Sequence, residues 1–414
     1  MEGMKLLNQE KAMKCGSSYK WIVLMLATAV QASATLITYG IGPLAFFWKE
    51  IYYLTDMQMG MLLTAVNIGP LFCMIFVGRL LDQYNERLLI GVSSILLGGS
   101  LLIIQVIEGF TGLLFVLTIV GVFYSTAQPG GSKVILKWFP KEKRGLAMGI
   151  RQAGIPIGGA VAGAIIPTLT VKFSLSFTIY ILSSICIVGG VLFLVFYKEP
   201  LSHYKSTINN KRISIWKQLK RVISNKELYS VLFTGVCMIS LQMVLIGHFI
   251  NFLIIAKSIT PVLAGKVFAV TLFVGMMGRI VLAVVSDSFY KGNRRRPLFI
   301  SVIATFICII ILILNIHNLS VWNLFLISGL LGFFGIGWFS LFMVEIAETS
   351  RKDAVGITVS FALTLNQIAI VFAPPIFGFV VEIKGYTWAW IAIAILLFIS
   401  AVSLLKSSQK VVYE

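Results

Sequence analysis

Residues Val274 to Arg296 read VGMMGRIVLAVVSDSFYKGNRRR and place an apolar helix, a buried cation and a basic turn in one stretch. Arg279 stands inside the apolar part, and Asp287, eight residues later, marks where the helix leaves the apolar medium. At 1.5 Å per residue, Arg279 lies roughly 12 Å inside that exit. A guanidinium keeps its charge in proteins, and placing it at the centre of a lone membrane helix costs about 3 kcal/mol. The stretch therefore predicts a membrane helix whose Arg279 faces a hydrated cavity, which is the path of an anionic or strongly polar solute.

The rest of the chain has the composition of an integral membrane protein. Of its 414 residues, 58% are hydrophobic and 12% are charged, and the mean hydropathy is +0.93. Soluble domains carry about 25% charged residues. The hydrophobic residues suffice for about twelve spans of about 20 residues each, which leaves no room for a sizeable soluble domain. We predict an all-α membrane protein of twelve transmembrane helices.

Basic residues are concentrated on one side of the predicted membrane. The formal net charge is +18, and most Lys and Arg stand in the amino-terminal tail, the central linker and the turns after spans two, four, eight and ten. The other side carries only Lys49, Lys172, Lys257 and Lys384. The positive-inside rule predicts that both termini and the linker are cytoplasmic. The charge thus indicates orientation in a membrane rather than nucleic-acid binding.

The sequence does not have the residue patterns of an enzyme. Its five cysteines are scattered without metal-ligand spacing, and it contains no nucleotide-binding loop or nucleophile triad. We therefore predict no metal, no cofactor and no catalytic residues. The short loops and the absence of a targeting peptide indicate the cytoplasmic membrane of a bacterium.

The two halves of the chain resemble each other at a period of about half its length. Asp82 has a counterpart 205 residues later in Asp287, and four positions of the turn after span four recur 207 residues later: Arg144, Ala147, Gly149 and Ile150. Such a repeat predicts two pseudo-symmetric six-helix bundles with a site between them near the bilayer midplane. We expect an N-terminal bundle over residues 1–197, a cytoplasmic linker over 198–227 and a C-terminal bundle over 228–414.

These features together resemble the major facilitator superfamily over the whole chain. After span two, Gly78, Asp82 and Arg87 match the family's signature in the loop between spans two and three. The resemblance implies that these residues, with Asp287 in the second half, form a latch that holds one of the two carrier states. The alternative reading of Asp82 is a helix cap.

The segment from Trp138 to Pro167 carries a second resemblance. Its GIPIGG is similar to the fifth-helix motif of drug and proton antiporters, whereas the surrounding WFP, RG and MGIRQ resemble organic-anion, cyanate-permease and monocarboxylate or oxalate carriers. Small residues let helices approach closely, and a proline invites a bend. We expect a helix-packing motif at Gly154, Pro156, Gly158 and Gly159.

The solute site is predicted around Arg279. Its surroundings, GRIVLAVVSD, resemble oxalate and monocarboxylate carriers, in which an arginine at this place contacts the substrate carboxylate. The resemblance assigns that role to Arg279, and Arg151, inside span five, is the candidate for a second positive charge. Other polar residues within the spans can either bind the solute or hold helices together: Tyr39, Gln128, His248, Asn366 and Gln367.

The same residues limit how transport is driven. No Asp or Glu stands in the middle of a predicted span, so coupling would use a proton on His248, the substrate's own carboxylate, or exchange for a counter-anion. We predict a monomeric secondary transporter of a small, monocarboxylate-like anion that works by rocker-switch alternating access among membrane lipids. The alternatives are a drug or metabolite efflux antiporter of the same fold and a non-transporting membrane sensor.

Overall fold

The computed structural model describes residues 2–199, 222–290, 293–350 and 355–410, and these ranges contain helices and no strand. The first half, residues 2–199, contains α1 Glu2–Tyr52, α2 Asp56–Gln83, α3 Glu86–Leu102, α4 Gly109–Tyr124, α5 Ala127–Trp138, α6 Lys141–Lys172 and α7 Leu175–Phe196. The second half, residues 222–410, contains α8 Glu227–Lys257, α9 Pro261–Ser288, α10 Arg295–Asn315, α11 Val321–Gly335, α12 Phe339–Thr349, α13 Val355–Lys384 and α14 Tyr386–Lys410.

The helices are long and apolar enough to cross a membrane. Eleven stretches of the described residues meet both criteria, with α4 and α5 forming one crossing and α11 and α12 another. With 28 residues, α2 is also long enough to span a bilayer, and it brings the number to the predicted twelve. The predicted all-helical membrane fold is thereby confirmed. The pseudo-symmetric pair of bundles, the domain boundaries and the cytoplasmic termini stay predictions, and most of the predicted linker lies outside the described residues.

Short turns reverse the chain between consecutive crossings. Thr55 caps α2 by accepting from the backbone of Gln58, whose side chain accepts from the backbone of Thr55 in return. Gly385 joins α13 to α14 with a φ of +85°, which favours glycine. Successive crossings are therefore antiparallel and define two ends of the molecule. We call the end with the turns at 53–55, 258–260 and Gly385 the distal end, and the end with residues 198–227 the linker end.

Packing joins helices within each half and across the two halves. In the first half α1 packs on α6, α3 on α7 and α2 on α4, and in the second half α9 packs on α11, α10 on α14 and α8 on α13. The three most extensive contacts between the halves join α2 with α13, α6 with α9, and α1 with α8. These three seams bring the predicted site residues of the two halves together.

Two of the crossings are interrupted near the middle of the bilayer. The fourth breaks at residues 125–126 between α4 and α5, and the tenth breaks at residues 336–338 between α11 and α12. Irregular backbone inside a membrane persists where protein groups or a wet cavity satisfy its polar atoms. The breaks therefore mark two places where polar side chains meet free carbonyls.

The predicted packing motif lies on α6, which continues through Pro156. A Cβ atom on Gly158 would lie 2.3 Å from the carbonyl oxygen of Ala32, and one on Gly154 would lie 2.9 Å from that of Thr28. A Cβ on Gly159 would meet Tyr39 and Leu272 at 2.7 Å. Side chains at these positions would force α6 away from α1 and α9. The part the motif plays in a transport cycle stays a prediction.

Candidate functional site

Arg279 lies at the break in the tenth crossing. Its Nε donates to the carbonyl of Ile336 at 3.3 Å, and its Cζ lies 5.2 Å from the ring centre of Phe339. The hydroxyl of Ser340 donates to the backbone carbonyl of Arg279 at 2.8 Å and ties α9 to α12. Among the described side chains, no carboxylate oxygen lies within 4.0 Å of this guanidinium. The charge is held by one carbonyl and one ring face, which leaves donors available to an anion.

Arg151 has a different environment in the first half. Its side chain is fully buried. Nη1 donates to Gln31 Oε1 at 3.0 Å, and Nη2 donates to Gln128 Oε1 at 3.1 Å and to Ser132 Oγ at 3.2 Å. A Cβ on Gly131 would lie 2.8 Å from Nη1, so a side chain there would require the guanidinium to shift. We call Gln31, Gln128 and Ser132 the amide cage. It supplies neutral oxygens only, and Nε has no partner in the described structure.

The register of α6 against α9 places the two arginines at a similar depth. Gly159 of α6 packs against Leu272 of α9. Arg151 precedes Gly159 by eight residues, and Arg279 follows Leu272 by seven. Because the helices are antiparallel, both arginines lie roughly 10–12 Å from that contact towards the linker end. One cation therefore stands in each half at this level.

Tyr39 and Gln242 connect the halves next to Arg279. Gln242 Nε2 on α8 donates to the hydroxyl of Tyr39 on α1 at 3.3 Å, and Tyr39 lies close enough to Arg279 for an electrostatic interaction. Gln242 Oε1 is buried without a partner in the described structure. An unpaired buried amide oxygen costs about 1–3 kcal/mol. Tyr39 was predicted from the sequence, whereas Gln242 was not.

The remaining predicted site residues lie on or beside the seam between α2 and α13. His248 is fully buried, and its Nε2 lies 2.9 Å from the carbonyl of Pro374, while its Nδ1 has no partner in the described part of the chain. Gln367 donates to the carbonyl of Asn67 across the seam at 3.2 Å. Asn366 is buried, and both of its amide atoms are unpartnered within the described structure. The described hydrogen bonds connect none of these three to Arg151 or Arg279, and their part in solute binding stays a prediction.

At the distal end, one carboxylate joins the two halves. Asp56, the first residue of α2, pairs with Lys49 of its own half at 2.8 Å. Its Oδ1 also accepts from Asn251 Nδ2 of α8 at 2.9 Å and from the hydroxyl of Tyr386 of α14 at 3.2 Å. We call Asp56, Lys49, Asn251 and Tyr386 the distal cluster. It closes this end of the boundary between the halves.

The seam between α2 and α13 continues from the distal cluster into the membrane. A Cβ on Gly378 would lie 2.2 Å from the carbonyl oxygen of Asp56, so the two backbones touch there. Three hydrogen bonds cross the seam, from the Met57 backbone to Glu382, from the Thr64 hydroxyl to the Val371 carbonyl, and from Gln367 to the Asn67 carbonyl. Of these three hydrogen bonds, the one between Gln367 and Asn67 lies nearest to the linker end.

At the linker end, the described ion pairs stay within one half. In the first half, Glu86 is buried and pairs with Lys137 at 2.6 Å. In the second half, Arg294 pairs with Asp287 and Glu348. Burial by itself would lower the pKa of Arg294, but the hydrogen bond to Asp287 and the charges of Glu348 and Asp287 raise it above its ordinary value. Each of these described pairs therefore joins two residues of the same half.

Of the charged residues of the predicted latch, the structure describes the side chains of Arg87 and Asp287. The side chain of Asp82 lies outside the described residues, and Gly78 has no side chain. Arg87 donates its Nε to the carbonyl of Leu194 on α7, and Asp287 meets Arg294 of its own half. The pairing of a latch carboxylate with Arg87 therefore stays a prediction.

The described residues thus form a bundle of membrane-length helices whose two halves meet at polar and cationic side chains. Within the described residues, no group of three or more His, Cys, Asp or Glu is placed to hold a metal ion. The family model described as Major Facilitator Superfamily matches residues 25–374. The chain belongs to this family and is a multi-pass membrane transporter.

Similar proteins agree with that assignment. The probable galactarate/D-glucarate transporter GudP of Bacillus subtilis (strain 168) is 24% identical over 361 residues, which cover 80% of this chain and 79% of the relative. The hexuronate transporter of the same organism is 22% identical over 362 residues, with 82% of each chain covered. Among solved structures, an inward-facing, unoccupied bacterial homologue of the human lysosomal transporter Spinster superposes with a TM-score of 0.76 at 15% identity and covers 94% of this chain and 97% of its own.

Several residues of the site were not predicted from the sequence. Gln31 and Gln242 are amides within predicted spans, and Ser132 is a hydroxyl residue next to Lys133 in the predicted fourth span. A lone amide on an apolar helix is a signal for a buried polar contact, because the amide needs a partner inside the membrane. This signal was present for Gln31 and Gln242, but it does not show which partner each amide meets.

Proposed function

We propose that this transporter moves a small organic anion and that Arg279 binds the carboxylate of its solute. The observation that carries the proposal is the incomplete pairing of Arg279, which has one carbonyl at 3.3 Å and no described carboxylate within 4.0 Å. A planar guanidinium offers a fork of donors that matches a carboxylate. Near Arg279, the Tyr39 hydroxyl and the unpaired Gln242 oxygen supply neutral groups suited to hydroxyls on the solute.

The solute class is proposed to be a sugar acid or a related hydroxylated carboxylate. The relatives named above transport galactarate, glucarate and hexuronates by their descriptions, and these compounds combine carboxylates with several hydroxyls. In this proposal Arg279 compensates the carboxylate charge, while Arg151 adds positive potential from within the amide cage. Direct contact between Arg151 and the solute stays a prediction.

The transport step is proposed to be alternating access between the two halves. The distal cluster and the seam between α2 and α13 close the distal end, and the described ion pairs of the linker end stay within each half. If the linker end is cytoplasmic, as the distribution of basic residues predicts, this arrangement is an inward-facing state. Opening the distal end then requires that Asp56 release Asn251 and Tyr386.

The source of coupling stays open among the three routes that the sequence allows. A proton on His248 would have to replace the contact of its ring with the Pro374 carbonyl or use the unpaired Nδ1. The solute's own carboxylate and a counter-anion require no ionisable residue in the middle of a span. A proton gradient should stimulate uptake if coupling uses His248 or the solute's own carboxylate. A counter-anion inside the vesicle should stimulate uptake if coupling is by exchange.

The test is uptake into proteoliposomes from a panel of labelled galactarate, glucarate, hexuronates, simple monocarboxylates and cationic dyes. We expect saturable uptake of at least one hydroxylated carboxylate, and we expect Arg279→Ala to abolish it. Lys266→Ala is the matched control, since Lys266 is an exposed cation on the same helix α9. Dye uptake without carboxylate uptake would contradict the proposal and favour the efflux antiporter, and binding without flux would favour a sensor.

A further inference from the structure

A groove at the linker end takes no part in the mechanism described above. It lies between the beginning of α10 and the end of α14 and has a volume of about 240 Å³. Its walls combine Tyr290 and two arginines, Arg295 and Arg296, with the apolar side chains of Phe299, Ile300, Leu404 and Leu405. Two chemically different ends in one groove indicate an amphipathic occupant.

The three consecutive arginines at this place are not equivalent. Arg294 pairs with Asp287 and Glu348, and Arg295 pairs with Glu345 at 2.6 Å. The side chain of Arg296 is exposed, and no described carboxylate lies within 4.0 Å of it. Arg296 therefore presents an uncompensated positive charge at the polar end of the groove.

The apolar wall lies inside the membrane-spanning part of both helices. The spans run from Arg295 to Asn315 and from Tyr386 to Lys406. Ile300 is 42% exposed and Leu405 is 47% exposed, and both open onto the groove. Arg296 consequently lies at the border between bilayer and water, and the apolar side chains lie just inside the hydrocarbon.

We propose that the groove binds an anionic phospholipid, with the headgroup phosphate on Arg296 and an acyl chain along Ile300 and Leu405. Basic pockets between membrane helices suit anionic headgroups, because the phosphate pairs with the arginine while the chain stays in the hydrocarbon. A free phosphate ion would leave the apolar wall unused. A zwitterionic lipid would bring its own cation next to Arg296.

The test is native mass spectrometry of the purified full chain with phosphatidylglycerol or phosphatidylcholine of identical acyl chains. We expect wild-type protein to retain phosphatidylglycerol preferentially and Arg296→Ala to lower its occupancy about five-fold. Lys226→Ala, which removes an exposed cation at the same end outside the groove, should leave occupancy unchanged. Leu405→Trp should lower occupancy with the arginine intact, because the indole fills the apolar part.

Three results would overturn the proposal. Equal losses of phosphatidylglycerol occupancy in Arg296→Ala and Lys226→Ala would show that the lipid adsorbs without a specific site to a chain of net charge +18. Displacement of the lipid by inorganic phosphate would show a simple anion site. A several-fold gain of lipid after truncation behind Lys410 would show that the carboxyl-terminal residues 411–414 occupy the groove. Unchanged thermal melting of each variant ensures that losses report binding rather than unfolding.

Discussion

Arg151 and Arg279 occupy similar depths on facing helices, yet their surroundings differ. Arg151 is fully buried and donates to three neutral oxygens of the amide cage. Arg279 donates to one carbonyl at 3.3 Å and makes a cation–π contact with the ring of Phe339. A charged group inside a membrane can thus stabilise one half of the protein or stay available to a solute. The difference lies in how many acceptors the neighbouring helices supply.

The largest effect expected from this comparison concerns solute affinity. Arg279→Gln should weaken binding of the transported anion by about 2–5 kcal/mol, because a charge-assisted contact in a desolvated site is lost. Arg151→Gln should weaken binding by less than a third of that, since both Nη atoms of Arg151 already have partners in the amide cage. Isothermal titration of both variants with the solute identified in the uptake panel measures the ratio.

The comparison fails if the two variants lose affinity equally. In that case Arg151 would leave its cage when the solute binds, and both arginines would contact it. Arg279→Lys helps to separate charge from geometry, since lysine keeps the charge without the planar fork. We expect it to recover part of the affinity, and complete recovery would show that the charge alone matters.

For thermal stability we expect the opposite ranking, with a larger loss when Arg151 is replaced than when Arg279 is replaced. Arg151→Met leaves the oxygens of Gln31, Gln128 and Ser132 without their donor, which costs about 1–3 kcal/mol. Arg279→Met removes one long hydrogen bond and should cost less. Thermal melting of the purified variants in one detergent, without solute, measures both. A lower melting temperature for Arg279→Met than for Arg151→Met would contradict the assignment of Arg151 to a structural cage.

Much of the fold could be predicted from the sequence, because apolar runs of membrane length have few other uses. The number of crossings and the positions of both arginines follow from local composition alone. The breaks at residues 125–126 and 336–338 were not predicted. They depend on which side chains of other helices satisfy the freed carbonyls, and Arg279 does this for Ile336 from α9.

The partners of the site residues were harder to predict for the same reason. Asp56 stands at a helix start, where an acidic residue is favourable through the helix dipole, and nothing nearby in the sequence indicates Asn251 or Tyr386. Gln31 and Gln242 carry a weak signal as amides within membrane spans. Contacts between residues about 120 to 330 positions apart require the packing of whole helices, which a single sequence does not specify.

A smaller effect should follow from opening the distal end. Asp56→Asn removes the charge but keeps an acceptor, so closure should weaken by about 1 kcal/mol. Hydrogen exchange followed by mass spectrometry should then speed up at residues 53–60 and 378–386, while peptides from α5 that carry the cage of Arg151 stay unchanged. Lys257→Ala is the control, because Lys257 contacts the His317 carbonyl within its own half. Faster exchange in the cage peptides would mean that Arg151 takes part in the opening.

The smallest expected effect tests the link between Arg279 and the first half. Tyr39→Phe removes the hydroxyl that accepts from Gln242 at 3.3 Å and lies near Arg279. One long neutral hydrogen bond contributes about 0.5–1 kcal/mol, so the KM for the solute should rise about two- to five-fold, with the arginine still in place. Tyr180→Phe, on an exposed surface of α7, should leave the KM unchanged. A loss of affinity in Tyr39→Phe as large as that in Arg279→Gln would contradict this. The tyrosine hydroxyl rather than the guanidinium would then be the main ligand. The contrast between the two arginines would no longer explain where the anion binds.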